Sequence, residues 1–186
     1  MKLLTAMVLT MILPSIALAA EETQQLGPYA VSFNMNTDMN YKVQKPDPIE
    51  TPFSTAYPLI VMTNNNTVSQ IMVTEYKNLI DATPDIYKAI GTLQMMMRGF
   101  NATPEDRQID GRTGFVLIGE PLPGIEALPS TARYTEASYW LDDQKCECGP
   151  VSVGTTKVII DSTYPQDINQ GILDSIQVKK GQPAPQ

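Results

Sequence analysis

Apolar and polar residues alternate through "YAVSFNMN", where Tyr29, Val31, Phe33 and Met35 fall on one side of an extended chain. A period of two predicts a half-buried strand. "YKVQKPDPIETPFSTAYP" follows, broken by prolines, and predicts a short extended piece and then an irregular connection. "YPLIVMT" and "SQIMVTEY" flank "NNNTV". They read as a hairpin whose asparagine tip accepts positive φ.

The period changes after Thr83. Ile86, Ile90, Leu93, Met97 and Phe100 recur at three- and four-residue spacing, which predicts an amphipathic helix with that stripe turned to the core. Thr83 suits the N-cap, Pro84 the first helical position and Asp85 the positive end of the dipole, while Gly99 marks the far end. The run Met95-Met96-Met97 invites a copper reading. Helical spacing places Met97 in the core stripe and Met96 on its flank, the common use of methionine.

Beyond the helix, Asp110-Gly111 in "RQIDGRTGFVLIGE" is a two-residue hairpin turn between strands. A proline- and glycine-rich loop, residues 121–135, leads into the strand "ASYWLD". "VGTTKVIIDSTY" is a further strand, and "PQDINQGILDSIQV" a closing helix with Ile168, Ile172 and Ile176 on one stripe. Strands outnumber helices and hairpins dominate. The expectation is an α+β domain, a mostly antiparallel sheet with helices laid on it.

This order of elements resembles the PsbP-like fold, named for an extrinsic lumenal protein of photosystem II and shared with Mog-type Ran-binding proteins. The resemblance runs through "YAVSFNM", the mid-chain helix, "IDGRTGFVLIGE", "ASYWLD" and "TTKVIIDSTYPQDINQGILDSIQV". It implies an α-β-α sandwich around a mostly antiparallel sheet, used by members as a non-catalytic accessory or binding module. These are fold-bearing patterns, so no functional residue carries over from the family.

The start of the chain has a different character. In "MKLLTAMVLTMILPSIALAA", Lys2 precedes an apolar run from Leu3 to Leu13, then Pro14-Ser15 and the small-x-small site Ala17-Leu18-Ala19. That is the design of a secretory signal, cleaved near Ala19 or Ala20, the alternative being an N-terminal membrane anchor. The expected organisation is a signal peptide at 1–20, a polar lead-in at 21–27, one domain over 28–178 and a disordered tail at 179–186. Of 186 residues about 166 then remain, enough for one domain that buries roughly 70% of its unfolded surface without disulfides. No other stretch is apolar for long enough to cross a membrane. The net charge of −7 repels phosphate, so nucleic acid and anionic membrane surfaces are poor partners.

Composition then narrows the chemistry. There is no histidine, so the commonest general base and metal ligand is missing. No Ser-x-x-Lys, Gly-x-Ser-x-Gly, phosphate loop or dinucleotide fingerprint occurs. Asp142-Asp143 and the pair Asp161 and Asp167 are nominal acid/base candidates, but turns and helix starts favour aspartate without any catalytic need. A carboxylate hydrolase requires an acidic cleft. No catalytic residue and no cofactor is expected.

Cys146 and Cys148 are the only cysteines. On an extended strand both point to one face, their Cα atoms roughly 6.5 Å apart, near the upper limit for a disulfide. Such a bond closes a tiny loop, contributes only about 1.5 kcal/mol before strain, and is easily reduced. Free thiols, a soft-metal half-site short of ligands, and pairing between chains remain alternatives. Asn65-Asn66-Thr67 and Asn101-Ala102-Thr103 match the glycosylation sequon at exposed positions, so Asn65 and Asn101 are acceptor candidates. The residues point to an exported accessory module that binds a protein or envelope component, with Arg133, Tyr134 and Trp140 at the end of the long loop as contacts. The rival is a thiol-based redox or soft-metal protein centred on Cys146 and Cys148.

Overall fold

The computed structural model describes residues 21–63, 67–81, 84–124, 133–142, 144–145 and 152–181. The expected signal peptide, Asn65, Asp143, Cys146, Cys148 and most of the 121–135 loop lie outside the described residues. The elements are β1 (Glu22–Leu26), β2 (Tyr29–Phe33), β3 (Tyr41–Gln44), β4 (Ile49–Glu50), β5 (Ser54–Thr63) and β6 (Val68–Asp81). They continue as α1 (Pro84–Met97), β7 (Phe100–Ile109), β8 (Arg112–Pro121), β9 (Tyr134–Trp140), β10 (Gln144–Lys145), β11 (Ser152–Ser162), α2 (Gln166–Ser175) and β12 (Gln177–Lys180).

The large sheet runs β3-β5-β6-β11-β9-β8-β7, with β4 paired to β5 and β10 to β11. A smaller sheet runs β1-β2-β12. Every described strand pair is antiparallel, as the hairpin-rich pattern predicts, and the fold is α+β. Strand alternation gives the large sheet two apolar faces. On one, Leu59, Val61, Ile71, Val73, Val116, Ala137, Tyr139, Val158 and Ile160 pack against Tyr29, Val31 and Phe33 of β2 and Ile168, Ile172 and Leu173 of α2. Burying each of the larger side chains contributes roughly 1.5–3 kcal/mol. On the other face, Met95 of α1 packs with Phe100, Ala102, Phe115 and Leu117. The sheet thus lies between α1 on one side and α2 with the small sheet on the other.

The turn at Asp110 and Gly111 forms as expected, with φ of 53° and 70°, the left-handed pair that a two-residue hairpin needs. Pro84 opens α1, and Gly99, at φ 88°, closes it with its N–H on the Met96 carbonyl at 3.0 Å. Both ends of the expected domain need correction. Residues of the polar lead-in form β1, and Lys179 and Lys180, expected in the tail, complete β12 against β2. The short apolar period of Val178 after Ile176 is too brief to announce a strand; pairing to β2 makes it one. The irregular connection after β3 also contains β4, held on β5 through Ile49–Ala56 and Glu50–Thr55.

The largest departure is the orientation of α1. Ile86, Ile90, Leu93 and Met97 do not enter the core: each is about half exposed or more, and Met97 is 81% exposed. Phe100, the last member of the expected stripe, is buried. Turned inward instead are Tyr87, Gly91 and Met95, with Lys88 half-buried. The cause is steric. A Cβ at Gly91 would lie 2.5 Å from Leu117 Cδ1 and 2.9 Å from Glu136 Oε1, so any side chain there must displace the ends of both, and glycine lets the helix lie close to the sheet. Met95 likewise settles over Gly119, and Lys88 pairs with Asp106 at 2.6 Å. A branched isoleucine at the Gly91 position has no room.

Candidate functional site

The two faces of α1 carry the candidate site: an ionic cluster beneath the helix and an apolar stripe above it. The cluster grows from strand register. Glu136 of β9 stands directly opposite Asp161 of β11, and Trp140 opposite Lys157, so all four side chains share the α1 side of the sheet. Glu136 and Lys157 are buried and Asp161 half-buried. Tyr134 precedes Glu136 by two residues on the same face. Its hydroxyl donates to the Asp161 carboxylate and receives a hydrogen bond from Arg98 Nη1, the Arg98 guanidinium lying 4.7 Å from the ring centre. Lys157 Nζ lies 3.6 Å from the centre of the Tyr87 ring, a cation–π contact in a dry setting. Tyr87 and Tyr76 in turn flank Trp140. Asp161 Oδ1 is buried with no hydrogen-bond partner among the described residues.

Burial dominates the electrostatics. It pushes the Lys157 ammonium down to about 8, against the pull of Glu136 and Asp161. Desolvation raises the Glu136 carboxyl, and Asp161 opposite raises it further. Asp161 is also raised by burial, although Arg98, the Tyr134 hydroxyl and Lys157 act the other way. Each shift follows from a charge taken out of water and incompletely compensated. A cavity of about 60 Å³ beside Lys157 is lined by Tyr87, Phe115, Ser138 and Trp140, room for little more than water. The cluster is a network of charges buried under a helix, and the cavity beside it among the described residues is small.

The other named residues divide clearly. Trp140 is a core residue, 6% exposed, and not an exposed contact. Tyr134 is half-buried in the network, and Arg133 pairs with Glu120 at 3.7 Å. Asn101 is exposed near the start of β7. Asp142 accepts hydrogen bonds from the Thr155 and Thr156 N–H groups and the Thr155 hydroxyl, a structural turn role. Asp167 is exposed in the first turn of α2, so Asp161 meets Glu136 and not Asp167. Met95 is buried, whereas Met96 and Met97 are exposed, which overturns their expected core role. A shallow acidic cleft of about 560 Å³ includes Asp110 and Asp174, but Arg107 holds Asp174, and Asp110 accepts from Arg112, Tyr139 and the Val178 N–H. Among the described residues no three or more Cys, Asp or Glu gather to hold a metal, and no helix is long and apolar enough to cross a membrane.

Above the helix, Ile86, Ile90, Leu93, Met96 and Met97 form one continuous apolar strip. Sequence periodicity found its members but assigned the wrong side. The ionic cluster was missed because Glu136, Lys157 and Asp161 are scattered in sequence and meet only through register. No family model, curated protein or solved structure matches this chain.

Proposed function

We propose that the chain is an exported, non-catalytic module that docks a partner in the cell envelope or extracellular space, and that the outward face of α1 is its docking surface. One observation carries this reading: five large apolar side chains, 46% to 81% exposed, lie along one face of a 14-residue helix. A contiguous strip of this kind marks an interaction site, because exposure costs free energy that docking recovers. Gly91 holds the helix in the orientation that presents the strip. The leader-like residues 1–20 support export.

The PsbP-like architecture belongs to the same proposal. Its support is the antiparallel sheet with α1 and α2 on opposite faces, and superposition of an experimental structure on members of that family tests it. The thiol or soft-metal alternative rests on Cys146 and Cys148; native thiol titration with metal analysis decides it, a reduced, metal-free and unreactive pair removing it.

The docking reading is tested with Ile90→Glu combined with Leu93→Glu in the exported chain. Both sites are solvent-facing, so circular dichroism and melting temperature stay near those of the parent. In-cell crosslinking to the envelope partner is expected to disappear. Undiminished crosslinking removes α1 as the docking surface.

A further inference from the structure

We propose that the cavity beside Lys157 is a capture site for short aliphatic aldehydes, which the Lys157 amine binds reversibly as an imine. The site lies between α1 and the sheet, apart from the exposed strip, and the inference does not depend on the docking reading.

The amine is the unusual feature. Lys157 is 7% exposed, and among the described residues its Nζ forms no hydrogen bond and no ion pair within 4 Å. Its contact is the Tyr87 ring, 3.6 Å from Nζ to the ring centre. A lysine held in this way has lost the water that solvates its charged form and gains no counter-charge at contact distance. Burial holds it at about 8, so near that pH much of the amine carries a free lone pair. Desolvation in an apolar pocket is one way a protein turns lysine into a nucleophile toward carbonyl carbon.

The surroundings select the ligand. Tyr87, Phe115 and Trp140 give the cavity apolar walls. Glu136 and Asp161 stand further along the same face of the sheet and disfavour an anion, so the site suits a neutral carbonyl compound better than a carboxylate or a phosphate. A volume of about 60 Å³ admits a molecule only a few atoms larger than water, which excludes aromatic aldehydes and sugars. Lys88 and Asp106, paired at 2.6 Å, also line the cavity, and the Asp106 side chain is 71% exposed. That ion pair marks where the cavity meets solvent.

The step balances without a co-reactant. The nitrogen lone pair of Lys157 forms a C–N bond to the carbonyl carbon while the C=O π pair moves to oxygen. That oxygen takes one proton from nitrogen, giving a carbinolamine. Departure of the hydroxyl group with the second amine proton releases water and leaves a C=N bond. No oxidation or reduction occurs, and water reverses the step.

The test treats the full chain with acetaldehyde and cyanoborohydride at pH 8, the reductant fixing each imine as an ethyl group that peptide mass spectrometry locates. The Lys157 peptide is expected to be labelled at least tenfold faster than those of Lys42 and Lys179, which are exposed. Benzaldehyde, too large for the cavity, is expected to label the exposed lysines and spare Lys157. Both comparisons are made within the parent chain, so neither depends on a variant that folds. A Lys157 labelled no faster than the exposed lysines overturns the proposal. So does equal labelling by benzaldehyde, which would show that transient opening of the fold, and not the cavity, admits the reagent.

Discussion

Glu136 and Asp161 face each other across the β9–β11 ladder, on the side of the sheet that α1 covers. Two carboxyls in directly opposed positions repel when both are ionised. Here Lys157, Arg98 and the Tyr134 hydroxyl share the task of holding them. The arrangement makes stability depend on pH in a direction that can be worked out residue by residue.

Lys157 governs the alkaline side. Its folded value is about 8 against 10.5 for an ordinary lysine, so between those pH values the unfolded chain binds more protons than the folded one. Stability from this group therefore rises with pH across that window, by about 3 kcal/mol, and below it the buried ammonium costs the full amount. Urea titrations at pH 7.5 and 10 in wild type and Lys157→Met are expected to differ in slope, the variant lacking the rise. Equal pH dependence removes Lys157 as the origin.

Glu136 acts in the opposite sense. Its folded value is raised, so the folded chain holds its proton at a pH where the unfolded chain has released it. The contribution is present below the ordinary carboxylate value and is lost as pH rises through the folded one. Glu136→Gln is expected to stabilise the protein at neutral pH and to flatten the fall in stability on the alkaline side of the ordinary carboxylate range. Thermal melts across that range check it; destabilisation at pH 7 shows that attraction to Lys157 outweighs burial.

At Gly91 two effects compete. Alanine gains about 1 kcal/mol of helix propensity, whereas its methyl group meets Leu117 and Glu136 at less than contact distance, a crowding that costs roughly 1–3 kcal/mol. Gly91→Ala is expected to be destabilising by about 1 kcal/mol. It should also shift the emission of the single tryptophan, Trp140, as Tyr87 is lifted from it. Chemical denaturation followed by fluorescence measures both; a stabilised variant with unchanged emission shows that the side chains yield without cost.

Asp110 joins the β7–β8 turn to β12. Its carboxylate pairs with Arg112 at 2.9 Å and accepts from the Tyr139 hydroxyl and the Val178 N–H at 3.1 Å. Asp110→Ala strands buried donors and is expected to cost on the order of 2–3 kcal/mol. Asp110→Asn keeps an acceptor and tolerates positive φ, so its cost is smaller. A comparison of urea midpoints decides; equal losses in both variants mean that charge, and not the hydrogen-bonding pattern, matters.

Local signals carried much of the fold. The alternation at Tyr29, Val31 and Phe33, the Asp110-Gly111 turn, Pro84 and the Ile168–Ile172 spacing are set within a few residues and correspond to observed elements. What periodicity does not carry is the identity of the surface on which an element lands. The side of α1 that faces the sheet is fixed by Gly91 meeting Leu117 and Glu136 from distant strands, and a hydrophobic stripe read alone points the wrong way. Similarly, Glu136, Lys157 and Asp161 become neighbours only once β9 and β11 are in register.

The small sheet has its own consequence for biogenesis. β2 sits between β1 and β12, so one of its edges is completed only by residues 177–180. Until a ribosome or a translocation pore has released that stretch, a vectorially emerging polypeptide holds β2 with an open flank. Completion of this layer is tied to the arrival of β12, and truncation ahead of Gln177 would leave that flank of β2 without its partner strand.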